Sequence, residues 1–461
     1  MLFKGKAEEI FDVKTINSGE MESFISRCAS IYKGFPDWLD AENDIRTINF
    51  AKAVCSETAR LTTLAIGIQI DGSARAVWLQ KQIDNVYFQL RHWVEYGAAY
   101  GTAILKPNGK SIDLFLPGSF LITDQDDGKI TGIIFHDQRI SDNGKTYYNR
   151  FEYHRTDADG IYRISNRCYK GASRNATGEP ISIEETPWAG LSEDVGIMNI
   201  EQPLYGVLRT PQANNIDSES PFGLPIFAEA IEELKDLDIA YSRNSGEIKD
   251  SQKIVLLDSD RLFPSGGEPV RNSIAAFANM RDRMQLPHYI RNVYGDGQET
   301  FYQEIVPQLN TDTRIQGINN LLSQIGYKCG FSNGYFVFNE SSGIATATQV
   351  EADQQRTIQS IKDMRDKLEN CLDGLIYALN AFADLYGLAP LGTYEVTYDF
   401  GDITYNREED RARWYGYVTA GKIPFWYYLV KFEGFSEEDA KAIEQEAKAQ
   451  QEAQEKLFPE E

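Results

Sequence analysis

Apolar residues recur at steps of three and four along several stretches of this chain. That spacing predicts helices over 19–33, 44–66 and 74–100. In the second stretch Ile45, Ile48, Ala51, Cys55, Ala59 and Thr62 form the apolar face. In the third, Val77, Ile83, Tyr87, Leu90, Val94 and Gly97 do the same. From residue 101 the pattern changes to alternating and β-branched segments such as KITGIIFHDQRI and KTYYNRFEYHR. Asn108-Gly109, Asp127-Gly128, Asn143-Gly144 and Asp159-Gly160 punctuate them at intervals of 19, 16 and 16 residues. Such dipeptides supply the two positive φ values of a type I′ turn, so an antiparallel meander is expected over 101–185.

The next stretch, PLYGVLRTPQANNIDSESPFGLP, reads as a long connection. A helix is predicted over 224–249, with Pro225 in its first turn, where a missing N–H costs little. Phe227, Ala230, Ile231, Leu234, Leu237 and Tyr241 form its apolar stripe. Residues 252–309 are mixed, opening on the strand-like KIVLLDS. A shorter helix over 311–329 carries Ile315, Ile318, Leu322, Ile325 and Cys329, with Gly330 where a C-terminal cap belongs.

A helix over 346–386 follows, and both Thr346-x-x-Gln349 and Thr348-x-x-Glu351 have the capping-box pattern of a helix start. Its stripe runs Ile358, Ile361, Met364, Leu368, Cys371, Leu375, Leu379, Phe382, Tyr386, a mean step of 3.5 residues. At ~1.5 Å per residue this helix is roughly 60 Å long, and Gly374 inside it is a candidate bend. The stretch from 405 is helical and acidic and ends as a solvated tail.

Composition refines this picture. At 461 residues, 42% hydrophobic and 25% charged, the chain has the make-up of a soluble, folded protein and the length for two or three domains, and the helices and meander read above make its fold class α+β. A formal charge of −23 argues against a surface that grips nucleic acid by neutralising phosphates. It is compatible with enclosing DNA without adhering to it, because like charges repel at close approach. Five scattered cysteines without a C-x-x-C pair predict reduced, buried thiols and synthesis in a reducing cytoplasm. The start, MLFKGKAEEIFD, lacks a signal-peptide core, and no run reaches the ~18 apolar residues of a membrane span.

The search for chemistry yields little. PNGKS at 107–111 and DNGKT at 142–146 have Ile104 and Arg139 where a phosphate-binding loop needs glycine, and both sit in predicted hairpin turns. TDQDDGK carries Gly128 where a calcium loop needs a third acidic ligand, and YGDG at 294–297 lacks the rest of a dinucleotide fingerprint. Of four histidines, His136 and His154 are possible neighbours across the meander, with a structural role expected. Asp236/Asp238 and Asp363/Asp366 are expected on solvated or inter-subunit helix faces. Residues 241–295 come nearest to a basic aromatic groove, with eight Lys or Arg against six Asp or Glu. The loop in SNGYFVFNESSGIATATQ, at 332–349, feeds a helix start through Ser and Gly, as phosphate sites do, but it carries no cation. No catalytic residue, metal or cofactor is expected.

Three stretches carry a resemblance: INFAKAVCSETARL at 48–61, RTPQANNIDSESPFGLPIFAEAIEELKDLDIAYSRNSGEI at 209–248 and FSNGYFVFNESSGIATATQVEADQQ at 331–355. With the order helix, mixed insert, shorter helix, loop and very long helix, the chain resembles tailed-bacteriophage portal proteins. The likeness is to portals of siphophages related to SPP1 and of the A118 type, and it spans about 40–445. The resemblance implies a wing over 1–220 containing the antiparallel meander and a first stem helix within 221–250. It also implies a mixed clip over 251–309, a second stem helix within 310–330 and a tunnel loop over 331–346. The long tunnel-supporting helix with its return to the wing would take 347–404, and a helical crown 405–461.

On that likeness Asn339, Glu340, Ser341, Ser342 and Gly343 would face DNA, and Thr346 and Gln349 would start the long helix. Phe227, Ile231, Leu234, Ile315, Ile318 and Leu322 would pack the stem. Arg271, Arg281, Arg283 and Arg291 would lie in the clip, where motor and adaptor dock. The implied partners are copies of the chain in a ring of twelve, double-stranded DNA, the terminase large subunit, the head–tail adaptor, and the major capsid and scaffolding proteins. The implied place is the portal vertex of a virion, without a membrane. Two other classes remain open at this point: a virion assembly or connector protein without a DNA channel, and a nucleotide-dependent DNA-processing enzyme. The latter needs a complete phosphate loop, which the sequence lacks.

Overall fold

The structure is a computed structural model that describes residues 3–16, 18–42, 44–109, 111–141, 144–250, 254–258, 290–293, 302–305, 311–337, 347–401, 407–420, 422–433, 435–437 and 439–446. The chain divides into two compact units, Met1–Thr63 with Gly67–Tyr398, and Leu64–Ile66 with Asp399–Glu461.

The first unit opens with helices α1 (Lys4–Phe11), α2 (Gly19–Tyr32) and α3 (Phe50–Thr62). The Ser18 hydroxyl caps α2 by accepting from Met21 N at 3.2 Å, and Glu20 and Glu22 complement the positive end of the helix dipole. The expected helix over 44–66 is shorter than its periodicity suggests. Asp44 and Asn49 both have φ of 53°, and Ile48 N is drawn away to a side chain on a later helix. Residues 74–100 also divide, into α4 (Ala74–Val86), a 3-10 turn at Tyr87–Gln89 and α5 (Leu90–Tyr100). The buried positions keep a helical step through that turn, at Ala76, Leu79, Ile83, Val86, Leu90, Trp93 and Gly97, while Val77 and Tyr87, expected on that face, are 70% and 42% exposed.

The strands after residue 101 form two sheets where one meander was expected. Strands β2 (Thr102–Pro107) and β3 (Ile112–Phe115) join the late strand β10 (Gly206–Arg209) in the order β10-β2-β3. The meander proper comprises β4 (Phe120–Asp126), β5 (Lys129–Ile140), β6 (Tyr147–Thr156), β7 (Tyr162–Gly171) and β8 (Glu179–Ile181), with β9 (Asp194–Ile197) also on β7. All these pairings are antiparallel. Asp127-Gly128 has both residues at positive φ, 47° and 73°, as a type I′ turn requires. At Asp159-Gly160 only the glycine is left-handed, and Gly160 N donates to Asp157 O, the geometry of a type I turn closed by a bulge. One sheet face packs on α1 through Phe3, Ala7, Leu121, Ile134 and Phe151. A second cluster joins Met21 and Ile25 of α2 to Ile104, Phe115, Phe120 and Phe135.

Helix α6 (Ile231–Asp250) begins later than the expected residue 224. Ile226 N donates to Ala98 O, and Ala228 N to Pro225 O. These bonds hold 225–228 against α5, with a 3-10 turn at Ala228–Ala230 as the run-in. Three short strands follow, β11 (Ile254–Asp258), β12 (Ile290–Val293) and β13 (Tyr302–Ile305), in the order β12-β11-β13. Helix α7 (Thr311–Lys328) then ends in a Schellman motif. Phe331 N donates to Gly326 O and Gly330 N to Tyr327 O, with Gly330 at φ +88°.

The longest element is α8 (Ala347–Leu385, 39 residues), followed by β14 (Tyr394–Asp399), which pairs with β1 (Gly67–Gly72). Helix α8 is continuous through Gly374, the candidate bend. The glycine serves a close approach. A Cβ on Gly374 would lie 3.2 Å from Tyr205 O, and one on Gly206 would lie 2.1 Å from Cys371 O. Strand β10 therefore crosses α8 backbone to backbone. Gly206→Ala is expected to cost about 2–3 kcal/mol, because neither backbone can retreat. Gly374→Ala should stay within about 1 kcal/mol, since improved helix propensity offsets the milder contact. Urea unfolding of the two variants measures the difference.

In the second unit, Gly401 N donates to Leu64 O. Helix α9 (Arg407–Thr419) is followed by the short α10 (Phe425–Tyr428) and a π-turn at Leu429–Glu433. All five cysteines are free and buried. No helix among the described residues is long and apolar enough to cross a membrane.

Candidate functional site

Helices α6 and α7 run antiparallel. The Lys328 ammonium reaches Glu233 Oε1 at 2.5 Å and Glu229 O at 2.9 Å near one end, and Arg314 pairs with Glu247 near the other. Phe227, Ile231, Leu234 and Leu322 are buried, whereas Ile315 and Ile318 are only half-buried. Further along, Tyr241 is 45% and Ile248 56% exposed. Apolar burial thus fades along the pair toward the insert, where the apolar stripe itself continues.

Asn339, Glu340, Ser341, Ser342, Gly343 and Thr346 lie outside the described residues, as do Arg271, Arg281 and Arg283. The backbone of Arg291 lies on β12 opposite Leu256. Gln349 is the third residue of α8, which starts at Ala347, directly after Thr346.

The chain that leads out of α7 is tied down before residue 338. Ser332 and Thr357 form a reciprocal clasp: Ser332 N donates to Thr357 Oγ1 at 2.8 Å, and Thr357 N to Ser332 Oγ at 3.3 Å. Both residues are buried. Phe331, Tyr335 and Phe336 pack edge-on or tilted with centroids 4.8–5.0 Å apart, and Phe50 of α3 adds to Phe336 at 5.2 Å. The Tyr335 hydroxyl donates to Glu57 Oε1, and Arg60 grips that carboxylate with two bonds of 2.8 and 2.7 Å. Burial first, then the Glu57 charge, raises the Tyr335 phenol to about 12, so it stays a donor at neutral pH. The Arg60 hydrogen bond holds Glu57 below the usual carboxylate range.

Two buried arginines fasten α8 to the N-terminal helices. Arg365 donates to Leu61 O and Thr62 O, the open carbonyls at the end of α3, at 3.0 and 3.2 Å. Arg75, in the first turn of α4, does the same for the far end of α8. Its guanidinium donates to Asn380 O, Asn380 Oδ1, Asp384 Oδ1, Ala389 O and Pro390 O over 2.6–2.9 Å.

A third joint lies between the two sheets. The buried Glu152 on β6 accepts from Lys106 Nζ at 2.6 Å, Arg150 Nη2 at 2.9 Å and His154 Nε2 at 2.8 Å. Burial pushes this carboxyl up, but Lys106 and Arg150 outweigh it and hold Glu152 well below the usual range. Burial lowers His154, whose Nδ1 lies 2.8 Å from the Tyr162 hydroxyl. His136 pairs across the ladder with Phe151 and His154 with Ile133, so the two imidazoles project to opposite faces and are not neighbours.

Of the two aspartate pairs, only Asp238 departs from the expected solvated or inter-subunit face. Asp236 is exposed, but Asp238 is buried and accepts from Trp38 Nε1 at 2.9 Å and Ile48 N at 3.0 Å. This contact is what draws Ile48 out of α3. Asp363 accepts from Gln359 on its own helix, and Asp366 is exposed. Arg365 was legible in principle, since its position falls on the buried face of α8 between Ile361 and Leu368. Nothing local marks Arg75 or Glu152.

Fold and site define an α+β structural protein in which one long helix is anchored at both ends and carries a fixed loop root. A family model described as "Phage portal protein, SPP1 Gp6-like" matches residues 62–456. The chain belongs to this phage portal family; it is a structural protein of the virion portal and not an enzyme. No curated protein matches. Solved structures are also similar, among them the following two. One is of the virion of a native gene transfer agent particle, at 9% identity and TM-score 0.42, covering 89% of this chain and 93% of that one. The other is of the neck of an empty gene transfer agent particle, at 10% identity and TM-score 0.41, covering 93% and 98%.

Proposed function

We propose that copies of this chain close a ring of twelve around a channel for double-stranded DNA at one capsid vertex. The observation that supports it is the helix pair α6/α7, whose apolar stripe loses its cover toward the insert. A ring subunit meets its neighbours through two different faces, so each needs uncovered apolar surface that a copy completes. In this reading residues 221–250 and 310–330 are the stem and 251–309 the clip, where the terminase large subunit and later the head–tail adaptor dock. Residues 1–220 form the wing, together with the return of 347–404, and meet the major capsid and scaffolding proteins. Residues 405–461 form the crown.

Residues 339–343 would line the aperture, with the Ser332–Thr357 clasp and the Tyr335–Glu57–Arg60 contact fixing the direction in which the chain leaves. With no cation in that stretch, its hold on DNA is weak and independent of sequence. The test is the assembly state. Native mass measurement and negative-stain imaging should show closed rings, and a Tyr241→Glu/Ile248→Glu double variant should remain folded yet fall to monomers. A wild-type chain that stays monomeric under all conditions, including with its capsid proteins, sinks the ring. A variant that still closes rings removes the stem from the subunit contact.

A further inference from the structure

Residues 411–432 of the second unit differ from the rest of this acidic chain. They contain four Lys or Arg, no Asp or Glu and eight aromatic residues, in a protein of net charge −23. This is a denser basic aromatic stretch than 241–295, where the sequence reading had looked. The structure shows how the aromatics are used. Lys431 Nζ lies 3.8 Å from the Trp414 ring centroid, and Tyr427 stacks on the same ring at 5.6 Å and 18°. The Lys422 ammonium lies 5.9 Å from the Tyr417 ring, and Lys441 lies 4.6 Å from Trp426. Lys422 and Lys431 are exposed, and among the described residues neither has a carboxylate partner.

We propose that the exposed Lys422 and Lys431 of the second unit contact the phosphate backbone of duplex DNA, a proposal that rests on the portal reading. The ring faces point to the backbone rather than to bases. Stacking of an unpaired base needs a free aromatic face, and the Trp414 ring is already engaged by both Lys431 and Tyr427. What remains on offer is ammonium charge and tyrosine hydroxyls, which suit phosphate oxygens and carry no sequence preference. The cation–π seats also restrict the lysine side chains beforehand, so less rotamer entropy is lost when a phosphate arrives. A local patch of this kind gives a light, salt-sensitive contact while the acidic remainder of the chain repels the duplex.

The test uses the full chain, a short fluorescent duplex of arbitrary sequence and a salt titration, with tryptophan emission read in parallel. The Lys422→Glu/Lys431→Glu variant is expected to bind at least about tenfold more weakly at low salt. Its slope of log affinity against log salt should fall by about 1.8, from two lost phosphate contacts at about 0.9 each. Lys52→Glu/Lys81→Glu makes the same change in net charge at exposed lysines elsewhere and should keep most of the affinity and slope. Trp414→Phe should retain binding but lose the DNA-dependent change in emission. Equal losses in the two charge variants, or tighter binding of a single strand than of the duplex, would overturn the proposal. Rings that bind duplex equally well with and without Lys422 and Lys431 would remove this contact and leave the portal reading standing.

Discussion

Replacing Arg75 with alanine is expected to lower the unfolding free energy by about 3–5 kcal/mol, read as a shifted urea midpoint. Arg75 is 1% exposed and serves five acceptors. Three are main-chain carbonyls: Asn380 O in the last turns of α8, and Ala389 O and Pro390 O in the segment after it. Its ion pair with Asp384 is the smaller share, because that carboxylate is 44% exposed and screened by water. The larger share is the loss of the buried guanidinium itself, with the cavity it leaves and its bonds to Asn380, Ala389 and Pro390. Arg75→Lys should recover less than half of the loss, since a single ammonium cannot serve acceptors spread around a planar fork. A variant with unchanged midpoint would show that α4 and α8 hold together without this contact.

Glu152→Gln is expected to cost a similar amount, about 3–5 kcal/mol, because it strands Lys106 and Arg150 as buried cations with no shared counter-charge. Lys106→Met combined with Glu152→Gln should cost less than the sum of the two, which a double-mutant cycle would measure. The two sheet histidines set an acid limit. Burial holds His154 and His136 below the ordinary value of 6.5, so the unfolded chain takes up protons there that the folded chain refuses. Stability should therefore be level above about pH 7 and fall as pH drops below about 6.5, by up to about 1.4 kcal/mol per pH unit for each histidine. Glu152, held below 4.5, adds a second loss as pH falls from about 4.5 through its depressed folded value. Urea titrations from pH 8 downward test both stages, and His154→Gln should remove one proton from the first.

Periodicity alone determined the helices whose apolar stripes are long and regular: α2, α7 and the 39-residue α8. It also determined where the chain turns, because an Asn-Gly or Asp-Gly step has few other conformations to take. The order of elements around the insert was sufficient to indicate the portal family. What sequence could not reach was decided by partners far along the chain. Whether β2 and β3 extend the meander or leave it depends on β10, a hundred residues later. The start of α3 depends on Asp238, which takes Ile48 N out of the helical ladder. The role of Gly374 depends on the backbone of Tyr205 and Gly206 lying against it. A local pattern reports the burial of one face, since burial repeats with the helix or strand period. It is silent on which distant carbonyl a buried arginine will reach, because that depends on the packing of elements and on the cost of leaving polar groups dry. Which carbonyls the anchors of the long helix reach was therefore decided by the tertiary structure alone.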